Sequence, residues 1–146
     1  MAFLFDTDAI SESWKPKPSA AYLEWAASVG RGEHFTSTLV LAELYKGAFR
    51  SPRRARPLEV IEDEVRPRFT VLDVSSPVAR EYGRVRAEME TVGVVVAWVD
   101  LWIAATALHH QLAMVTGSVS HFCKVPGLQL QLALANARTS SSATPR

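Results

Sequence analysis

The sequence predicts an α/β fold of three layers, with a mostly parallel central sheet between two layers of helices. Three observations carry that prediction. Short apolar runs alternate along the chain with segments of helical periodicity. The first run, Phe3-Leu4-Phe5, reads as a short buried strand that passes straight into Asp6-Thr7-Asp8. Capping residues and breakers bracket the helical segments in between.

Composition sets the outer bounds. The chain has 146 residues, 48% of them hydrophobic and 21% charged, which is the balance of an ordinary single globular domain. A net charge of +1 provides no global basic field for nucleic acid. The charge is nevertheless uneven. Arg50, Arg53, Arg54 and Arg56 crowd one segment, and every side-chain carboxylate lies at or before Asp100. The lone Cys123 excludes an internal disulfide and fits a reducing, cytoplasmic setting. No apolar run approaches the ~20 residues that span a bilayer. The first strand starts at Phe3, so no signal peptide is expected.

Taken in order, the elements follow from local chemistry. Ala9 to Trp14 reads as a helical turn, stopped by Lys15-Pro16-Lys17-Pro18. Ser19 caps a helix from Ala20 to Val29, with Gly30 as its stop. His34 to Ser37 is a short strand. Thr38 caps a helix to Phe49, whose stripe is Leu41, Leu44, Tyr45 and Ala48. Arg50 to Arg56 is a basic loop. Pro57 opens a helix carrying Leu58, Ile61 and Val65, which ends before Pro67. Phe69 to Val74 is a strand. Ser76-Pro77 caps a helix with the buried stripe Val78, Tyr82, Val85 and Met89, and Gly93 stops it. Asp100 opens a helix to His110 that is apolar nearly all round and therefore central. Leu112 to Thr116 is a buried strand, Gly117 to His121 a turn, and Leu128 to Leu134 an edge strand. Residues 1–135 form the domain. From Asn136 to Arg146 the small polar composition predicts a disordered tail.

Asp6 is the leading candidate for chemistry. A carboxylate at the end of an apolar strand is costly unless it is paired, hydrogen-bonded or bound to a metal. It can also simply cap the next helix, a role that Asp8, directly before Ala9-Ile10, fits better. Glu43 and Asp100 each have an ordinary explanation too: a surface pair with Lys46, and a favourable place in a first helical turn. Together, three acids on three elements converge at one sheet edge. Clustered carboxylates repel one another unless a cation neutralises them. Oxygen ligands select magnesium or manganese, and the four histidines form no ligand set. Such an ion activates water and stabilises charge on a phosphate. Beside it, Arg50, Arg53 and Arg54 are placed to hold an RNA backbone.

These residues resemble the PIN-domain family, and within it the VapC-like ribonuclease toxins. The resemblance runs from Phe3 to Leu130 through Phe5-Asp6-Thr7-Asp8, Leu41-Ala42-Glu43-Leu44, Asp100-Leu101-Trp102-Ile103-Ala104-Ala105, Val115-Thr116-Gly117-Ser118 and Val125-Pro126-Gly127-Leu128. It implies a three-layer α/β/α fold and a metal-dependent endoribonuclease. Asp6, Glu43 and Asp100 would be the Mg²⁺ or Mn²⁺ ligands, and Thr7 and Thr116 pocket hydroxyls. It also implies a homodimer, and inhibition by a VapB-like antitoxin lying on the apolar helices up to Val65. Ser118 departs from the pattern, because relatives carry Asp or Asn there. Trp98 replaces a small or polar residue. With Ser118 a neutral ligand, single-metal catalysis, weak activity and a degenerate binding module all stay open. Asp6-Thr7-Asp8 with Val115-Thr116-Gly117 also looks like the opening motifs of haloacid-dehalogenase-like phosphatases, but that family needs later acids that this chain lacks.

Overall fold

The computed structural model describes residues 1–142 of the chain. Five strands form one sheet: β1 (Phe3–Phe5), β2 (His34–Ser37), β3 (Thr70–Leu72), β4 (Ala113–Val115) and β5 (Leu130–Gln131). All pairings are parallel, in the order β3-β2-β1-β4-β5. β1 is therefore the middle strand, with Leu4 level with Phe35 on one side and Met114 on the other. All three of its residues are buried. Phe3 and Phe5 both meet the Trp25 ring, and alternation turns Leu4 to the opposite face, so both faces of the sheet are covered.

The helices are α1 (Thr7–Ser11), continued by a 3₁₀ turn (Glu12–Trp14), α2 (Ala20–Ser28), α3 (Thr38–Arg50), α4 (Ala55–Val60) and α5 (Arg66–Arg68). They are followed by α6 (Ser76–Thr91), α7 (Trp98–His109), α8 (Val119–Phe122) and α9 (Ala133–Ser142). α7 packs on α6 and α3, while α9 packs on α2. Leu101, Ala104, Ala105 and Ala107 of α7 are wholly buried, as its all-round apolar sequence predicts. Gly93 follows α6 at φ +71°, a left-handed position that suits a helix stop. Among the described residues no helix is long and apolar enough to cross a membrane.

Several boundaries differ from the sequence reading. The cap of α3 is Ser37, not Thr38: its Oγ accepts from the Val40 amide at 3.2 Å. Ser75, not Ser76, caps α6. α7 opens at Trp98, so Asp100 lies within its first turn rather than at its start. The helix through Val65 does not end before Pro67. Ile61–Val65 widens into a π turn in which the Arg66 N–H reaches back to the Ile61 carbonyl. A widened turn relieves the clash that a proline ring makes with the carbonyl four residues earlier. The predicted edge strand shrinks to Leu130–Gln131, because Ala133 already begins α9. That helix also corrects the expected disordered tail: 136–142 are helical, and 143–146 lie outside the described residues. The physical reason is tertiary. Leu134 and Ala137 are buried, so α9 covers core that composition alone does not reveal.

Candidate functional site

The strand order reverses between β1 and β4, since the chain leaves β1 for β2 on one side and returns to β4 on the other. Open parallel sheets bind ligands at such a point, beyond the strands' carboxyl ends. Asp6 and Thr116 stand there side by side, and the Asp6 amide extends the ladder by donating to the Val115 carbonyl at 3.1 Å.

Asp6 is also the cap of α1. Its Oδ1 accepts from the Ala9 amide at 2.8 Å, so the capping role that the sequence favours for Asp8 belongs to Asp6. Only 6% of Asp6 is exposed. Burial pushes its carboxyl up to about 7. The Thr116 hydroxyl and the Ala9 amide pull the other way, and the Asp8 and Glu43 charges add to the rise. Thr116 is fully buried and accepts from the Ser118 amide at 2.9 Å, which shapes the turn after β4.

Glu43 projects from the second turn of α3 and accepts a hydrogen bond from the Thr7 hydroxyl. That partner replaces the Lys46 surface pair. Asp100 is half-buried on α7. Burial and the Glu43 charge raise its carboxyl, and His121 lowers it. The His121 Nδ1 lies 3.8 Å from Asp100 Oδ2.

Asp6, Thr7, Glu43, Asp100 and Ser118 thus line one cavity of about 200 Å³, with Asp8, Ser11 and His121 completing its polar wall. Thr116 sits behind it, against Asp6. Arg50, Arg53 and Arg54 do not line this cavity and are exposed. Arg50 is seven residues beyond Glu43, about 10 Å along the α3 axis. Sequence reasoning dismissed His121. Its only local signal is helical spacing, three residues after Ser118. The role of Asp8 was also missed, because its partner Arg138 lies in the segment read as tail: Arg138 Nη1 donates to Asp8 Oδ2 at 2.9 Å.

The donor set suits a hard cation in chemistry. It is all oxygen and partly desolvated, and the Glu43 charge adds to the rise at both Asp6 and Asp100. Among the described residues no Lys or Arg pairs with Asp6, Glu43 or Asp100. Nor do any three acidic, imidazole or thiol groups among them close on a single point. Magnesium tolerates such an open set, because it keeps several waters and needs only one or two carboxylates.

The chain matches the PIN domain family over residues 3–127. Toxin FitB of Neisseria gonorrhoeae is 31% identical over 124 residues, covering 82% of this chain and 89% of that protein. A tRNA(fMet)-specific endonuclease VapC of Shigella flexneri is 32% identical over 131 residues, covering 90% and 97%. Among solved structures, FitAcB from Neisseria gonorrhoeae superposes with a TM-score of 0.82 at 28% identity, covering 88% of this chain and 96% of that one.

Proposed function

The chain belongs to the PIN domain family, and from that premise we propose that it is a VapC-type toxin: an endoribonuclease that uses Mg²⁺ or Mn²⁺ and is held inactive by a cognate VapB-like antitoxin. The observation that carries this reading is the convergence of Asp6, Glu43 and Asp100 on one polar cavity at the reversal of strand order. The names of its relatives, a toxin and a tRNA endonuclease, support it. Cytoplasmic RNA is the substrate class, and the protein acts as a homodimer.

Asp6, Glu43 and Asp100 would hold the ion, which when bound lowers the pKa of a water and stabilises charge developing on a scissile phosphate. The chain's own residues prepare the site. The Ala9 amide fixes the Asp6 carboxylate at the end of β1. The Thr7 hydroxyl holds Glu43 toward the cavity. Ser118 presents its hydroxyl on the opposite wall, with Thr116 buried behind it against Asp6, and Ser118 is the neutral member where the family resemblance implies Asp or Asn. Arg50, at the end of α3, and Arg53 and Arg54 just after it are exposed and would hold an RNA backbone leaving the cavity. In 0.05–0.2 M salt their contribution weakens by counterion uptake, steeply if all three reach phosphates.

The purified chain, free of copurifying partner, is expected to cleave RNA with Mg²⁺ or Mn²⁺ and to stop with chelator. Failure across a broad RNA set, in folded protein that still binds its partner, would favour the degenerate binding module that Ser118 keeps open. Ser118→Asp supplies a fourth carboxylate and is expected to keep or raise the cleavage rate; a loss of activity would show that the serine is specifically required. The family match leaves the phosphatase alternative without support.

Antitoxin binding has a place as well. An apolar groove of about 540 Å³, lined by Trp14, Leu44, Ala48, Pro57 and Ile61, opens beside Glu43 and Thr7. An apolar segment seated there would direct a following basic side chain to the acids. Gly47 forms part of the groove, and a Cβ there meets nothing within 4 Å. Gly47→Gln is therefore expected to fold at least as well as the parent, since glycine weakens a helix interior by about 0.5–1 kcal/mol. It should nevertheless lose at least about tenfold in affinity for the cognate antitoxin, measured by calorimetry, as lost packing of about 1.4 kcal/mol implies. Unchanged affinity would remove this groove as the docking site.

A further inference from the structure

Arg138 lies outside the matched family region, on α9, yet it reaches the edge of the cavity. Its guanidinium is a fork across two turns of one helix. Nη1 donates to Asp8 Oδ2 at 2.9 Å and Nη2 to Glu12 Oε2 at 3.3 Å. Glu12 is buried, and its carboxylate also takes Lys15 at 2.7 Å and the Ser19 amide at 3.3 Å. The acids four residues apart, on the segment that begins with Asp6, are thus gripped together from the far end of the chain.

The same guanidinium lies against the turn after β4. A Cβ at Gly117 would fall 1.9 Å from Arg138 Nη1, 2.7 Å from its Cζ and 2.8 Å from Asp8 Oδ2. Gly117 has no left-handed φ, so its backbone does not demand glycine. The space does. Gly117 stands between Thr116 and Ser118, the two hydroxyl residues of the site.

We propose that Arg138 is a positioning residue, which clamps the Asp6–Glu12 segment to the Thr116–Ser118 turn and so sets the spacing between the two walls of the cavity. Arg138 also neutralises Asp8, leaving three acids rather than four that face the cavity without a Lys or Arg partner among the described residues. Its effect on metal binding rests on the reading given under Proposed function; the clamp itself does not.

The test uses the full chain with Arg138→Gln, Gly117→Ala and the double variant. Amide hydrogen exchange over residues 6–12 and 116–118 is read first, without metal. Each single variant is expected to speed exchange there by at least about tenfold, as loss of a charge-assisted hydrogen bond implies, with β2 unaffected. The double variant should be no faster than either single, because both remove one contact. Mn²⁺ affinity, read by water-proton relaxation, should fall by about tenfold or more in the same variants, as for other lost supports of metal ligands. Unchanged exchange at 6–12, or an equal rise in every strand, overturns the clamp. If Arg138→Gln fails to fold, Gly117→Ala decides alone. A parent chain that binds no Mn²⁺ overturns the metal reading and leaves the exchange result to judge the clamp.

Discussion

Asp6→Asn is expected to abolish RNA cleavage while leaving the protein folded and no less stable. The chemical loss is large, at least about 10³-fold, because a cation that both activates water and stabilises phosphate charge contributes several kcal/mol to the barrier. The structural loss is small for a specific reason. Asn is as good a cap as Asp, and its carbonyl oxygen can keep the 2.8 Å bond from the Ala9 amide. It also removes a carboxylate that burial disfavours in the charged form. The sign follows from linkage. Without metal, the folded-state carboxyl at about 7 holds its proton above the unfolded value near 3.8. The folded state therefore binds more protons across that window, and the parent loses stability as pH rises from about 4 to about 7. In chelator, the parent should show this decline and Asp6→Asn should lack it. Asp100→Asn should abolish cleavage likewise. Full activity of either variant would remove that acid from the site.

Phe5→Ala is expected to be the most damaging core substitution. Phe5 is 1% exposed and touches three rings: His34 stacked at 5.3 Å, Phe69 edge-on at 5.3 Å and Trp25 at 6.1 Å. Truncating such a phenylalanine costs about 3–5 kcal/mol, a large share of the roughly 5–15 kcal/mol that holds a domain together. The urea midpoint should fall by about 1–5 M, since the slope for small proteins is about 1–3 kcal/mol per molar. Val95→Ala, at a residue 80% exposed, is the control and should move it little. A midpoint for Phe5→Ala within error of the parent would show that the central strand is not held by this ring cluster.

Those two residues also mark what the sequence makes legible. Phe3-Leu4-Phe5 is apolar because both faces of the sheet are covered, so the strand, its depth and the acid at its end can all be read locally. The strand at His34–Ser37 was harder to read, because only Phe35 of its four residues is apolar and its buried polar side chains are held by contacts with β1 and α2 that no local pattern carries. Ambiguity enters where two neighbours have the same chemistry. Ser37 and Thr38, or Ser75 and Ser76, can each cap a helix, and only the extended backbone at Ser37 and Ser75 decides between them. Asp6 and Asp8 are the same problem with carboxylates. α9 was illegible for a different reason. Its sequence is polar and small, and its helix rests on Leu134 and Ala137 meeting the core and on Arg138 meeting acids 126 and 130 residues away. No local pattern carries a contact of that separation.

β1 finds its two neighbours at very different distances along the chain. Leu4 pairs with Phe35, but Phe5 pairs with Val115, a separation of 110 residues (115 minus 5). Bringing such distant segments together costs loop entropy before any contact returns it, which slows folding. During synthesis the effect is absolute. A growing chain can form the β1–β2 pair long before β4 exists, but the wall that carries Thr116 and Ser118 is still unmade. Asp6 then faces solvent where β4 should stand, and the cavity has one side. A ribosome translating this message therefore carries an incomplete, open site until β4 and the turn after it have emerged.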